Sequence, residues 1–99
     1  FFIVLVFGSY AKGNANSESD LDVAIIVESK QTKKEITPFL ETIKRREILG
    51  IDYHIFTTGE VLEMLKSEQE NVGKEIYRQN IIYYGAIAYY TIIRGLKNE

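Results

Sequence analysis

The sequence predicts an α/β fold, a small mixed β-sheet with helices packed mainly on one face. Three observations carry this. Residues 2–7 form a continuous apolar, largely β-branched and aromatic run closed by Gly8-Ser9, which reads as a buried strand. Residues 20–28 alternate, with Leu21, Val23, Ile25 and Val27 on one side and Asp20, Asp22, Ala24 and Ile26 on the other. Beyond them, apolar residues recur at helical spacing, first as Ile36, Phe39, Leu40 and Ile43.

In chain order, the strand over 2–7 leads through Gly8-Ser9 into a short helix over Tyr10–Lys12, with Ser9 placed to cap its N-terminus. Residues 14–19, Asn-Ala-Asn-Ser-Glu-Ser, are turn chemistry. The second strand runs from Asp20 to Glu28. The helix after it has two candidate starts, a capping box from Thr32 to Glu35 or Pro38 in the first helical position behind Thr37, and Gly50 is a natural stop. Ile51 to Phe56 is the third strand. A second capping box, Thr57 to Glu60, opens a helix with Val61, Leu62 and Leu65 facing inward. Residues 70–79 predict another helix, Ile81 to Tyr84 a short strand, and the segment after Gly85 a last helix.

Composition narrows the function classes. The 99 residues, read as a single domain over 1–99, are 45% apolar and 26% charged, with a net charge of −2. That apolar content excludes intrinsic disorder. The slight negative charge disfavours general nucleic-acid binding, which is driven by counterion release from phosphates onto basic residues. With no cysteine there is no disulfide framework and no thiolate metal site, in keeping with a cytoplasmic location. The longest uncharged apolar-rich run, Ile81 to Ile93, is shorter than the roughly 20 residues of a spanning helix, so no membrane role is expected. No basic segment precedes the apolar run at Phe1, which argues against a signal sequence, and the lack of an initial Met suggests an N-terminus that is incomplete.

Three carboxylates point to chemistry. Asp20 and Asp22 leave the same side of one strand, and two acids on an apolar strand are costly unless a cation lies between them. Asp52 stands on another apolar strand and completes a cluster if the two strands are neighbours. Oxygen donors of this kind suit Mg²⁺ or Mn²⁺. Clustered carboxylates should also repel, raising at least one pKa. The plain alternatives are a turn residue for Asp20, a salt-bridged acid for Asp22 and a strand-entry residue for Asp52. His54 shares the Asp52 side by alternation; it is a general base, a supporting partner of the acids or, the commoner outcome, a buried, hydrogen-bonded core histidine. Gly8 permits close backbone approach to a phosphate, with Ser9 beside it. The Gly8-x-x-x-x-Gly13 spacing is not a P-loop, because Asn14-Ala15 stand where Lys and Ser or Thr are required. The basic groups Lys30, Lys33, Lys34 and Lys44, Arg45, Arg46 read as solvated helix faces. The tyrosines at 83, 84, 89 and 90 read as packing, with self-association a further possibility.

Taken together, Gly8-Ser9-Tyr10-Ala11-Lys12-Gly13 followed by Ser19-Asp20-Leu21-Asp22-Val23 closely resembles the signature of the DNA polymerase beta-like nucleotidyltransferase superfamily, best its minimal, antitoxin-type members. The resemblance implies that Gly8, Ser9 and Lys12 bind the nucleotide, here ATP. It implies that Asp20, Asp22 and Asp52 bind two Mg²⁺ ions (Mn²⁺ as an alternative) and are catalytic. The implied reaction moves AMP from ATP to a hydroxyl and releases pyrophosphate. Lys12 stands where the superfamily usually has Arg, keeping the charge and losing the bidentate fork. A second reading implied by the resemblance is an antitoxin-like binding module of a toxin–antitoxin system, which neutralises a small helical partner protein with or without adenylylating it.

Overall fold

The computed structural model describes residues 2–16, 20–46 and 50–97. The elements follow in the order β1 (Phe2–Phe7), α1 (Gly8–Lys12), β2 (Leu21–Val27), α2 (Lys30–Arg46), β3 (Ile51–Thr57), α3 (Thr58–Lys66), α4 (Val72–Arg78), β4 (Ile81–Tyr84) and α5 (Ala86–Lys97). The strands form one mixed sheet in the order β3-β2-β1-β4. β1 runs antiparallel to both of its neighbours, whereas β2 and β3 are parallel and joined through α2. The expected fold class and all four strands are present.

Alternation along the strands divides the apolar residues between two layers. On one face Ile3, Leu5, Phe7, Ala24 and Ile26 are buried with Val61 of α3, Ile76 of α4, and Tyr89 and Ile93 of α5. On the other, Val23, Ile25 and Val27 pack with Ile36 and Leu40 of α2. Each fully buried aliphatic side chain in these layers contributes about 1.5–3 kcal/mol of transfer free energy. Three helices cover the first face and one covers the second.

Two predicted helix starts are corrected. α2 begins at Lys30, earlier than either expected start, because the Ser29 hydroxyl accepts the Thr32 backbone N–H at 3.2 Å and its carbonyl accepts the Lys33 N–H. Pro38 lies inside this helix on an exposed side, where water can serve the Lys34 carbonyl that it leaves unpaired. Nor does Ser9 cap α1. That helix begins two residues earlier than expected, at Gly8, with Phe7 in the cap position and no side-chain cap. The capping box at the start of α3 is present as read: Thr57 Oγ1 accepts the Glu60 N–H, and Glu60 accepts the Thr57 N–H. The expected turn over 14–19 and the helix stop at Gly50 fall partly on residues 17–19 and 47–49, outside those described. Among the described residues, no helix is long and apolar enough to cross a membrane.

Candidate active site

The polar cluster forms where β1 ends and where β2 and β3 begin. Antiparallel pairing sets Phe7 opposite Asp22. Parallel pairing sets Asp22 beside Asp52 and Ala24 beside His54. Alternation then turns Asp22, Asp52 and His54 to one face, the face that buries Ala24 and Ile26. His54 Nε2 stands 3.4 Å from Asp52 Oδ2 and 4.0 Å from Asp22 Oδ1. One ligand atom from each of the three residues lies within 4.8 Å of the others, a spacing that could hold a metal ion.

Gly8 shapes the rim of this cluster. Its φ of 71° belongs to the left-handed region, which lets the chain turn sharply from β1 into α1. A Cβ at Gly8 would collide with the Asp22 carboxylate, so the glycine leaves that carboxylate its space. The C-terminal end of α1 is tied to α4: the Gln79 side chain donates to the Ala11 carbonyl at 3.1 Å, and Lys12 pairs with Glu75 at 3.7 Å.

Electrostatics mark Asp22 as the strained member. Partial burial raises its pKa above the usual 3.8, the nearby Asp52 charge raises it further, and His54 offsets part of the rise. Glu75 and, more weakly, Asp20 push in the same upward direction. The expected upward shift is present, with desolvation ahead of carboxylate repulsion as its cause. A divalent cation between Asp22 and Asp52 would relieve both penalties. Two carboxylates and one imidazole form a suitable donor set, with one ligand atom of each within 4.8 Å of the others.

The structure does not bring all three expected acids into one tight group. Asp20 precedes β2, is exposed and lies against Gly50, where a Cβ would meet its carboxylate. The Gly50 carbonyl accepts the Leu21 N–H at 2.8 Å, which pins this approach of the two chain segments. The third member of the compact trio is His54. Its ring is not enclosed in the core: the side chain is about a third exposed, while it still packs on Phe7 and Phe56. Strand alternation is the signal that links His54 to Asp52. Glu75 had no comparable signal, because its place beside Asp22 and Lys12 depends on how α4 docks.

The chain matches the family model described as polymerase beta, nucleotidyltransferase over residues 2–84. A Methanocaldococcus jannaschii protein, named as a candidate protein adenylyltransferase, is 43% identical over 78 residues, spanning 74% of this chain and 76% of its own length. No solved structure gives a significant match.

Proposed function

The chain belongs to the polymerase beta nucleotidyltransferase family, and on that premise we propose that it transfers AMP from ATP to a hydroxyl of an acceptor protein, with release of pyrophosphate. The observation that supports this reading best is the pairing of Asp22 with Asp52 on parallel strands, directly beneath the Gly8 turn. The choice of a protein acceptor is supported by the name of the similar Methanocaldococcus jannaschii protein.

In this reading Asp22 and Asp52 hold a divalent cation, Mg²⁺ or Mn²⁺, and Asp20 serves the nucleotide side of the site. Gly8 and Ser9 give the triphosphate close approach to backbone, and Lys12 exchanges Glu75 for phosphate oxygens. The acceptor oxygen bonds to the α-phosphorus as the bond from that phosphorus to the bridging oxygen breaks. Pyrophosphate leaves with the electron pair, and the hydroxyl proton passes to a carboxylate oxygen of Asp52. A bound divalent cation supplies charge stabilisation on the phosphate oxygens and lowers the pKa of the acceptor hydroxyl.

The test is transfer of label from ATP marked at the α-phosphate onto proteins that co-purify with the chain. Asp52→Asn should cut transfer by at least about a hundredfold while ATP affinity changes only a few-fold, because the charge on the attacking side is lost. Failure to label any acceptor, or full labelling by Asp52→Asn, would overturn the reading. The antitoxin-like alternative draws on a different observation: β4 and α5 expose Tyr83, Tyr84, Ile87 and Tyr90, apolar surface suited to a small helical partner or a second copy. Both readings hold together if that partner is the acceptor.

A further inference from the structure

We propose that His54 Nε2 is a direct ligand of the divalent cation held by Asp22 and Asp52, and that this nitrogen makes the site favour Mn²⁺ over Mg²⁺. The inference rests on the metal-dependent transfer proposed above and deepens it by naming the third ligand and the metal it selects.

The separations carry the first part. His54 Nε2 lies 3.4 Å from Asp52 Oδ2 and 4.0 Å from Asp22 Oδ1. Both exceed the usual 2.7–3.2 Å of an N–H···O hydrogen bond. An imidazole that merely oriented one carboxylate would close on that oxygen. This one stands off both. Bonds of about 2.1 Å to one cation place two ligand atoms about 3 Å apart when adjacent in an octahedron and about 4.2 Å apart when opposite. Both His54 separations fall between those values, and the three ligand atoms lie within 4.8 Å of one another, so side-chain adjustments bring all three residues onto a shared ion.

Ring orientation carries the second part. Phe7 meets the His54 ring edge-on at 5.3 Å, and Phe56 stacks on it at 6.3 Å. The parallel register puts only the methyl of Ala24 beside His54 on β2, which leaves the imidazole room. The ring is therefore held with Nε2 toward the acids by packing that does not depend on an ion. That is how a ligand is preorganised. The donor set then decides the metal. Mg²⁺ is bound through oxygen and dehydrates reluctantly, whereas imidazole nitrogen suits first-row transition metals. Of the two ions, Mg²⁺ and Mn²⁺, two carboxylates with one imidazole therefore favour Mn²⁺.

The chain contains a single histidine, which makes the experiment unambiguous. Untagged protein without nucleotide is titrated with Mn²⁺ and with Mg²⁺ at one fixed pH, and bound Mn²⁺ is examined by electron spin-echo spectroscopy. The expected spectrum shows imidazole nitrogen modulation, which changes when histidine carries the heavy nitrogen isotope. Mn²⁺ should bind at least about tenfold more tightly than Mg²⁺. His54→Ala should remove most of that ratio, losing about tenfold or more in Mn²⁺ affinity and little for Mg²⁺. His54→Phe keeps the aromatic packing and should give the same result if the alanine variant is poorly folded. Bound Mn²⁺ without imidazole modulation, or an unchanged Mn²⁺/Mg²⁺ ratio in both variants, would overturn the inference and leave the proposed transfer standing. Absence of any divalent cation binding, with or without ATP, would overturn both.

Discussion

The two faces of the sheet are built from the same strands and differ in what they are asked to do. β2 shows it most directly. Val23, Ile25 and Val27 face α2, and Ala24 and Ile26, one residue out of phase, face the layer of α3, α4 and α5. The three-helix face holds the larger buried cluster, and Asp22, Asp52 and His54 collect at one end of it. The α2 face is thinly covered. A groove of about 200 Å³ opens along it, with Phe2, Val4, Ile25 and Leu40 in its walls, and Phe39 of α2 is 72% exposed. The difference shows that burial and chemistry share one face. A well-packed layer supplies the rigid floor that a polar cluster needs, and strand ends supply the place where polar groups can still meet water.

The largest expected effect lies at that cluster. Asp22→Asn should lower nucleotidyl transfer by about a thousandfold or more, about 4 kcal/mol at the transition state. The same change should raise the melting temperature of the metal-free protein near pH 7. The sign follows from the raised pKa of Asp22 in the fold. Its stabilising, protonated form is fully present below the unfolded value of 3.8 and is lost as pH rises through the folded value, so the charged carboxylate is a cost at neutral pH. Melting curves at pH 7 and pH 3 check this. The gain should vanish at the lower pH, and a destabilised variant at pH 7 would mean that the site end is packed like the rest of its face.

A pair of adjacent substitutions sharpens the contrast between the layers. Ile26 is 1% exposed under three helices, whereas Ile25 is 8% exposed and borders the groove. Ile26→Ala should cost about 4 kcal/mol, and Ile25→Ala about 2 kcal/mol, because a site beside open space has less packing to lose. Chemical denaturation measures both. Equal losses would erase the distinction drawn between the faces.

The smallest effect concerns the contact that joins them. Lys33 of α2 pairs with Glu60 at the start of α3 at 3.1 Å. The Thr57 backbone hydrogen bond, with help from the Lys33 hydrogen bond and charge, holds the Glu60 carboxyl below its usual 4.5 against the opposing effect of burial. Glu60→Ala should therefore cost about 1 kcal/mol at pH 7, mostly through the cap, since a half-exposed ion pair adds little. A lowered folded pKa means that the carboxylate's contribution is present above 4.5 and is lost as pH falls through the folded value. Stability of the variant relative to the parent, followed from pH 7 to pH 3, should converge. A constant difference across that range would assign the loss to packing.

What could be read from residues alone was what depends on near neighbours in the chain. The alternation of β2, the capping box at Thr57 and Glu60, and the Gly8-Ser9 turn ahead of two spaced aspartates are local patterns, and local backbone geometry turns them into structure with little help. The α2 start differs from expectation for a local reason as well: Thr32 and Thr37 are both plausible caps, yet it is the Ser29 hydroxyl that takes the Thr32 N–H. The remainder required the fold. Parallel register brought Asp52 beside Asp22 across an intervening helix, and the Gly50 approach drew Asp20 out of the compact group. Docking of α4 placed Glu75 against Lys12 and near enough to Asp22 for its charge to be felt. The sequence by itself determined the order of strands and helices, and which side of a strand each acid occupies, because those choices are settled by sterics and hydrogen bonds within a few residues. Only the tertiary structure decided that His54, rather than Asp20, completes the trio, because that depends on strand pairing and ring packing between segments that are distant in the chain.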